Sequence, residues 1–523
     1  MWRFVLAVLL LAAPTAVLAE WKEAKTKNFL IYSEGSEAKL RDVAAHVEKY
    51  DVVLRWAARI QTPPSPMKLK MYLMQSPQEV QATLGEMGGR GILGYYDQSP
   101  RGPYFVGLQR DSRDLEGVNA QQVLFHEYAH HFMYQYFPAA YPSWYSEGFA
   151  EYYGTTRILE GDVIETGHLA EDRYGRLRNS WYPLKKMLTA KSYADVGGNI
   201  GSLYAQGWLL VHYLAHNQKR AGQLDKYLSL INAGRPFDQA TNEAFGPEAK
   251  ALNSELYSYA RRIELPATRT PFKPIDVGPI AIRTLSPAEQ ALLKKDITLS
   301  RGLLVREAPG FAKDVRAIVR RFAQDPYALS ILVEAERAAG NNGEAAAAVE
   351  SWLAVQPNAP KALMHKAEMQ VEALAAAKST DKQAWEAARR MLLAANKASP
   401  YDPAILEAYY DSFTAAGELP PPAAQNALFK AFKLVPQVMR VRYKLAADFE
   451  LRGMIPDAIN TIKPAAFALH QDDDKSKAEK RREARLKAKY KQVGVHDGEE
   501  PWEMLARLEA KLAKTGGGGG GAK

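Results

Sequence analysis

The stretch FHEYAHHFMYQYFPAAYPSWYSEGFAEYYG, residues 125–154, sets three histidines and three glutamates among aromatic residues. His126 and His130 are four residues apart, about one turn of an α-helix, so both imidazoles project from one face. Zinc accepts imidazole nitrogens, and the carboxylate of Glu127 lies beside the pair, where it can take a proton from water. The pattern predicts a metal site with a general base. The alternative is a metal-free polar cluster at the edge of an aromatic core.

A second helix is predicted to supply the third ligand. Pro138 and Pro142 end the first helix near residue 136 and turn the chain, and Ser143 is expected to cap a helix over 144–154. An antiparallel return brings Glu147 to the two histidines. Two nitrogens and one carboxylate leave an open position for water, as hydrolytic zinc requires.

Glu151 lies one helical turn beyond Glu147 and is expected on the same face. A carboxylate there can hydrogen-bond the free nitrogen of a ligand histidine and so fix its tautomer. The alternative for Glu151 is an exposed helix glutamate. His131, His168, His212 and His216 have no ligand-like spacing and are expected to be structural or exposed.

HEYAH followed by WYSEGFAEY resembles the gluzincin metallopeptidases, above all the peptidase MA-like domain of bacterial exported proteins. The segments 181–188 and 203–214 are also similar to that family. The resemblance implies an α+β zincin-like fold and one Zn²⁺ per chain, with Glu127 as the catalytic base and His126, His130 and Glu147 as ligands. His130 and Glu147 are closer in sequence than in the aminopeptidase branch, so no aminopeptidase specificity is carried over.

The resemblance bears on two further features of the site. The family architecture implies a strand before the active-site helix that pairs with an extended peptide, and YFVGLQR, residues 104–110, is expected to be that strand. No residue that stabilises the transition state is carried over from the family. Tyr204 is a candidate from its family-like setting, but a packed core tyrosine is the favoured interpretation.

The N-terminus, MWRFVLAVLLLAAPTAVLAE, is typical of a secretory signal with cleavage after Ala19. Its apolar run is shorter than the roughly 20 residues of a spanning helix, although an uncleaved anchor is the alternative. The chain has no cysteine, which excludes disulfides and thiolate chemistry. We therefore expect a bacterial protein exported to the periplasm or beyond the cell, with no transmembrane segment after signal cleavage.

The net charge of +9 is concentrated near the C-terminus. Residues 475–491 contain nine Lys or Arg and two Glu, so this run alone accounts for most of the excess. The remainder of the chain is nearly neutral, which argues against a nucleic-acid-binding face. The run is expected to be a solvated helix followed by a flexible Gly-rich tail.

The chain is predicted to contain several parts. After the signal peptide (1–19) come the gluzincin-like domain (20–262) and a Pro-rich linker or connecting segment (263–310). An all-α region (311–470) resembles degenerate tetratricopeptide repeats, about four in number, in which residues such as Ala446, Gly453 and Ala458 match a 34-residue helix-turn-helix period. The alternative is an unrelated helical bundle. A charged helix and tail (471–523) end the chain.

These features predict an exported zinc metallopeptidase that hydrolyses peptide bonds and binds substrate or a protein partner through its repeats. One alternative is a non-proteolytic zinc-binding scaffold that uses the repeats for protein interaction. Another is a repeat-based assembly factor whose first domain has lost its metal. Retention of all four site residues in the sequence disfavours the last of these.

Overall fold

The computed structural model describes residues 20–85, 92–99, 101–109, 119–137, 139–168, 173, 175, 177, 180–190, 193–262, 264–468 and 499–516. The predicted signal peptide, the basic run at 475–491 and the residues after 516 lie outside these ranges. Across the described ranges, no helix combines the length and apolar character needed to cross a bilayer.

Within these ranges, nine short strands form two sheets. In chain order they are β1 (Lys22–Lys25), β2 (Phe29–Ser33), β3 (Leu69–Met74), β4 (Gly94–Ser99), β5 (Gly102–Leu108), β6 (Arg157–Leu159), β7 (Val163–Thr166), β8 (Thr268–Pro271) and β9 (Ala281–Thr284). The larger sheet has the order β4-β5-β3-β2-β1-β9, and the smaller has the order β6-β7-β8. In the larger sheet β2, β3 and β5 run parallel, whereas β4, β1 and β9 pair antiparallel with their neighbours.

The sheet order changes the predicted role of residues 104–110. Strands β4 and β5 form an antiparallel hairpin in which Ser99 lies opposite Gly102. However, β5 is also paired with β3, so neither of its edges is open. The prediction that 104–110 pairs with a peptide is therefore wrong, and β4 is the strand at the sheet edge. The order of two strands within a hairpin is a tertiary property that their sequences do not reveal.

The segment 263–310 is more than a connection. Strand β8 completes the smaller sheet by pairing with β7, and β9 extends the larger sheet by pairing with β1. Pro271 is the last residue of β8, and Pro274 and Pro279 lie between β8 and β9, where a missing backbone N–H is tolerated. The segment therefore ties the first half of the chain to the helices that follow.

Ten helices of the described first half accompany these strands. They are α1 (Glu37–Ala57), α2 (Pro77–Leu84), α3 (Ala120–Tyr136), α4 (Ser143–Gly154), α5 (Leu184–Thr189), α6 (Tyr193–Val196), α7 (Ile200–His216), α8 (Gln223–Asn232), α9 (Phe237–Phe245) and α10 (Lys250–Tyr259). Along β3 successive side chains alternate between the sheet faces. Met71 and Leu73 pack in the cluster that contains α1 and α3, whereas Tyr72 and Met74 pack on the opposite face.

Helix α3 is held against α1 by aromatic and polar contacts. The Phe125 and Tyr50 rings are stacked with centroids 3.8 Å apart. The Tyr128 hydroxyl donates a 2.6 Å hydrogen bond to Asp51, whose other oxygen accepts from Arg55 at 2.7 Å. These contacts hold the helix that bears the HEYAH motif against α1.

Helices α4 and α7 cross at glycines. A Cβ added to Gly207 would lie 2.7 Å from the carbonyl oxygen of Trp144, and one added to Gly148 would lie 2.5 Å from the carbonyl oxygen of Gly207. Both distances are too short for a real contact, so two glycines are needed for the backbones to approach this closely. The crossing fixes the position of α4, the helix that carries Glu147.

We expect Gly207→Ala to destabilise the protein by about 1–3 kcal/mol, the usual cost of overpacking a buried contact. The new methyl group would push α7 away from α4. Urea-induced unfolding followed by circular dichroism measures the effect. Gly222→Ala is not a suitable control because Gly222 has φ +76°, whereas Gly310→Ala is suitable because nothing lies within 4 Å of its Cβ position. Equal stability of Gly207→Ala and Gly310→Ala would contradict the close crossing.

The second half of the described chain is helical. Its helices are α11 (Pro287–Arg301), α12 (Ala308–Val319), α13 (Pro326–Ala338), α14 (Asn342–Val355), α15 (Pro360–Ala376), α16 (Lys382–Ala398), α17 (Pro403–Thr414), α18 (Pro422–Leu434), α19 (Met439–Leu451), α20 (Ile455–Ala468) and α21 (Pro501–Gly516). Helices α13 to α20 form four successive hairpins, which we call the helical array. This confirms a helical-repeat region.

Small buried residues let the paired helices pack closely, as the repeat pattern predicts. Ala446 and Ala458 are fully buried in the last hairpin, and Gly453 in its turn has φ +75°, a conformation that favours glycine. The turn of the α15–α16 hairpin spans residues 377–381, with Lys378 at φ +47°, and that of α17–α18 spans residues 415–421, whereas the other two turns have three residues each. The array is therefore a stack of four hairpins whose turns differ in length.

The helical array is joined to the first half of the chain at both ends. Arg101, next to β4, pairs with Asp296 of α11 at 2.5 Å and with Glu334 of α13 at 2.7 Å. At the far end, the Lys463 ammonium of α20 donates a 2.7 Å hydrogen bond to the Asn232 carbonyl at the end of α8. The array thus contacts the sheet and the helices that follow the site.

Candidate metal centre

Helices α3 and α4 bring His126, His130 and Glu147 together. The two Nε2 atoms are 3.1 Å apart, and each lies 3.4 Å from Oε2 of Glu147. The side chains are no more than 14% exposed. Among the described residues, this is the one group of three or more His, Asp or Glu residues whose ligand atoms converge in this way.

The spacing of these atoms matches the geometry of zinc. Ligands at the corners of a tetrahedron with bonds of about 2.0–2.1 Å lie about 3.3 Å apart. The three measured separations are close to this value. Two imidazoles and one carboxylate are also a donor set that zinc takes in hydrolytic sites. The residues present therefore fit a zinc ion, with a fourth position left for water or substrate.

The outer nitrogens of both histidines have their own partners. Nδ1 of His126 lies 3.4 Å from Oε1 of Glu151, and Nδ1 of His130 lies 3.4 Å from the Ser146 hydroxyl. Glu151 is in turn held by Arg173, whose Nη2 donates to Oε1 at 3.0 Å. Such contacts orient imidazoles so that Nε2 points at the shared position. Glu151 is thus a buried partner of His126 and not an exposed glutamate.

Glu127 lies between α3 and the edge of the sheet. Its Oε2 accepts a 3.0 Å hydrogen bond from the backbone N–H of Tyr96 in β4. The Tyr96 N–H points away from β5, toward the open edge of β4. The carbonyl of Tyr96 points the same way, because the N–H and C=O of one strand residue lie on the same side of the strand. The candidate base is therefore held by the strand at the sheet edge.

Charges around the histidines favour a cation. Burial lowers the pKa of His126, but the hydrogen bond to Glu147 and the charges of Glu151 and Glu127 outweigh it and raise that pKa to about 9. Burial alone would raise the pKa of Glu147, yet the charge of His130 and the hydrogen bonds with both histidines lower it far below its usual range. Three carboxylates around two imidazoles make a positive charge at the centre of the cluster electrostatically favourable.

Tyr204 of α7 faces the same cluster. Its ring lies parallel to that of His126 with centroids 6.1 Å apart, and the Arg173 guanidinium lies 5.2 Å from its ring centre. Burial and the charges of Glu147, Glu127 and Glu151 raise the pKa of Tyr204 well above its usual value, so the phenol keeps its proton. Tyr204 therefore borders the site as a neutral hydrogen-bond donor.

The other histidines lie outside the cluster. Burial lowers the pKa of His131 to about 3, so it is neutral, and its Nδ1 lies 3.2 Å from the Tyr96 hydroxyl. His168 pairs with Glu165 at 2.8 Å. The rings of His212 and His216 stack on each other with centroids 4.4 Å apart. The structure places all four in structural settings, as expected.

Sequence reasoning missed three residues and misplaced one. Tyr96, Ser146 and Arg173 contact the site, but no spacing rule connects residues 96 and 173 with the HEYAH helix. Ser143 does not cap α4, because Pro142 with φ −64° and ψ 146° is the capping residue and forms no side-chain cap hydrogen bond. The proline already has the extended backbone that precedes a helix, so the helix starts one residue earlier than predicted.

No known protein family matches the chain. No curated protein matches it either. Among solved structures, it is similar to TTC0263, a thermophilic TPR protein of Thermus thermophilus, at 17% identity over 40% of this chain and 92% of that chain, with a TM-score of 0.28. It is also similar to a MamA protein at 15% identity over 40% of this chain and 96% of that chain, with a TM-score of 0.25. Because both TM-scores are far below 0.5, we identify the repeats from the helical hairpins of this chain and not from these similarities.

Proposed function

We propose that the chain is a zinc-dependent metallopeptidase of gluzincin type, whose helical array binds substrate or a protein partner. The observation that carries the proposal is the set of three separations, 3.1, 3.4 and 3.4 Å, between Nε2 of His126, Nε2 of His130 and Oε2 of Glu147. A zinc ion held there would supply a Lewis acid for water and for the scissile carbonyl. We further propose export to the bacterial periplasm or beyond the cell.

Glu127 is proposed as the general base. Its carboxylate is held at Oε2 by the Tyr96 N–H, so the group is oriented before substrate arrives. A positioned carboxylate takes the proton of the attacking water and delivers it to the leaving amine. Tyr204, which keeps its phenolic proton, is proposed to donate a hydrogen bond to the charge that develops on the carbonyl oxygen.

An extended peptide is proposed to add to β4. The Tyr96 N–H points away from β5, so by the period of the strand the backbone groups of Gly94 and Gln98 point the same way. Gln98 lies opposite Pro103, which has no N–H to offer, in keeping with this assignment. A peptide paired with these groups would pass beside Glu127.

Glu151 and Arg173 are proposed to position His126. We expect Glu151→Gln to weaken zinc binding about 10–100-fold, because the amide holds the imidazole less firmly than a carboxylate does. Arg173→Ala should weaken it in the same direction by leaving Glu151 without its guanidinium contact. Competition with a fluorescent zinc chelator measures the affinity. Exposed Glu160→Gln is the control, and equal affinity of all four proteins would contradict the positioning role.

The second candidate function is a zinc-binding scaffold without proteolysis. Its specific support is the stack of four helical hairpins, an architecture that presents extended surfaces to other proteins. Incubation of the zinc-loaded chain with a random-sequence decapeptide pool, analysed by mass spectrometry, separates the two candidates. Cleavage that stops on addition of 1,10-phenanthroline supports the peptidase, whereas an intact pool supports the scaffold.

A further inference from the structure

The open edge of β4 carries two carboxylates. The backbone N–H of Tyr96 donates to Oε2 of Glu127 at 3.0 Å, and the backbone N–H of Gln98 donates to Oδ1 of Asp97 at 2.7 Å. Residues 96 and 98 of one strand direct their N–H groups to the same side, which here is the side away from β5. The carboxylates of Glu127 and Asp97 therefore both lie at the open edge of the sheet.

The two carboxylates reach this edge from opposite faces of the sheet. Glu127 belongs to α3, which packs on one face. Asp97 lies opposite Tyr104 of β5, and its Oδ2 accepts a 3.0 Å hydrogen bond from the Tyr104 hydroxyl. Tyr104 packs with Tyr72 on the other face. Asp97 thus borders the edge on the face that does not carry the metal centre.

Asp97 has no cation to balance its charge. Its two hydrogen-bond partners are a backbone N–H and a phenol, and within the described part of the chain it forms no ion pair. By contrast, Asp296 and Glu334, which reach the same hairpin, share the guanidinium of Arg101. Burial raises the pKa of Asp97, as expected for a carboxylate whose charge is poorly compensated. The side chain is half-buried, so a cation from outside the chain can reach it.

An extended peptide at the edge of β4 would place one of its side chains against Asp97. Residues directly opposite each other on paired strands have their side chains on the same face, with Cβ atoms about 4.5–5.5 Å apart. The peptide residue opposite Asp97 therefore points to the face of the Asp97 carboxylate. Strand residues advance by about 3.3 Å each, so this residue lies within about two residues of the peptide bond beside Glu127.

We propose that Asp97 is a specificity-determining residue that binds a cationic group of the substrate, an ammonium or guanidinium, within about two residues of the scissile bond. Opposite charges at cross-strand positions attract each other, and a half-buried setting strengthens the attraction. The inference rests on the proposed peptidase function, to which it adds a substrate class: peptides with Lys or Arg close to the cleaved bond. A free amino terminus offers the same chemistry, and the experiment separates the two sources.

The test uses the zinc-loaded parent and Asp97→Asn, whose amide can still accept a hydrogen bond but carries no charge. Asp238→Asn is the control, because Asp238 is exposed on α9. One fluorogenic peptide cleaved in the random pool is remade in N-acetylated form, with lysine or norleucine in turn at each of the two positions on either side of the scissile bond. A third series carries norleucine and is shortened so that a free amino terminus lies at these distances.

For the parent we expect lysine at one of these positions to raise kcat/KM at least about tenfold over norleucine, the effect of one hydrogen bond between charged groups. Asp97→Asn should cleave the lysine and norleucine peptides equally. Asp238→Asn should keep the preference of the parent. If Asp97→Asn does not fold, Asp97→Ser, whose hydroxyl can still accept the Gln98 N–H, is used with the same criteria.

The remaining outcomes also decide the proposal. A gain seen only with the free amino terminus, and lost in Asp97→Asn, supports it and identifies the amino terminus as the bound cation. The absence of any gain in the parent would overturn the proposal, and so would a gain that persists in Asp97→Asn.

A binding measurement distinguishes failure of the inference from failure of the proposed function. If the zinc-loaded parent cleaves no peptide, the peptidase proposal fails. Anisotropy of two N-acetylated, fluorescein-labelled decapeptide pools, with lysine or norleucine at a fixed central position, then decides the inference alone. A Kd about tenfold lower for the lysine pool with the parent, and equal Kd values with Asp97→Asn, would support it. Equal Kd values of the two pools with the parent, or no binding, would overturn it.

Discussion

Glu127→Gln is expected to lower the rate of peptide hydrolysis by about 10²–10⁴-fold while one zinc ion per chain stays bound. The amide keeps the size of the side chain and can still accept the Tyr96 N–H hydrogen bond, but it cannot take a proton from water. None of the three converging ligand atoms belongs to this residue. Steady-state cleavage of a fluorogenic peptide gives the rate, and plasma emission spectrometry gives the zinc content.

Glu160→Gln is the matched control, because Glu160 is exposed and lies outside the cluster. It should cleave at the parent rate. Cleavage by Glu127→Gln at the parent rate would show that another group acts as base. Loss of zinc from Glu127→Gln would show that this carboxylate is a ligand instead.

The adjacent pair His130 and His131 offers a second test with a large effect. His130→Ala is expected to reduce bound zinc to less than about one tenth of an ion per chain, because only one imidazole and one carboxylate would remain. Hydrolysis should be lost with the metal. His131→Ala should keep its zinc, since Nδ1 of His131 contacts the Tyr96 hydroxyl and not the cluster.

His131→Ala is not silent, and this makes it a useful control. It leaves the buried Tyr96 hydroxyl with one contact fewer, which should lower the free energy of unfolding by about 1–3 kcal/mol. We thus expect His130→Ala to lose its zinc, and His131→Ala to keep its zinc but to be less stable than the parent. If both alanine variants lost zinc equally, the loss would reflect impaired folding. The assignment of His130 as a ligand would then fail.

Local patterns in the sequence were sufficient for the two helices of the site. The i, i+4 spacing puts His126 and His130 on one face, and the prolines at 138 and 142 end the helix at Tyr136, where α3 ends in the structure. The return of α4, which carries Glu147 and Glu151 back to the histidines, also follows from the short connection. Neighbouring residues decide such features, so a single sequence reveals them.

Features that depend on distant residues were not predictable in the same way. Whether β4 or β5 forms the sheet edge depends on which of them pairs with β3, a strand that precedes both in the chain. Arg173 reaches Glu151 through a fold that brings separate segments together. The repeat period places Gln437 in a turn between hairpins like that of Asn358, yet Gln437 is buried because the first half of the chain, at Met67, packs against that turn.

The sequence by itself determined the helix that bears HEYAH, the ligand types on its face and the helical hairpins of the second half, because helical period, turn residues and side-chain chemistry act over a few residues. The tertiary structure alone decided which strand borders the site, which side chains orient the histidines and where the array meets the sheet. Those outcomes depend on contacts between segments far apart in the chain, and burial and pairing set them only when the whole chain packs.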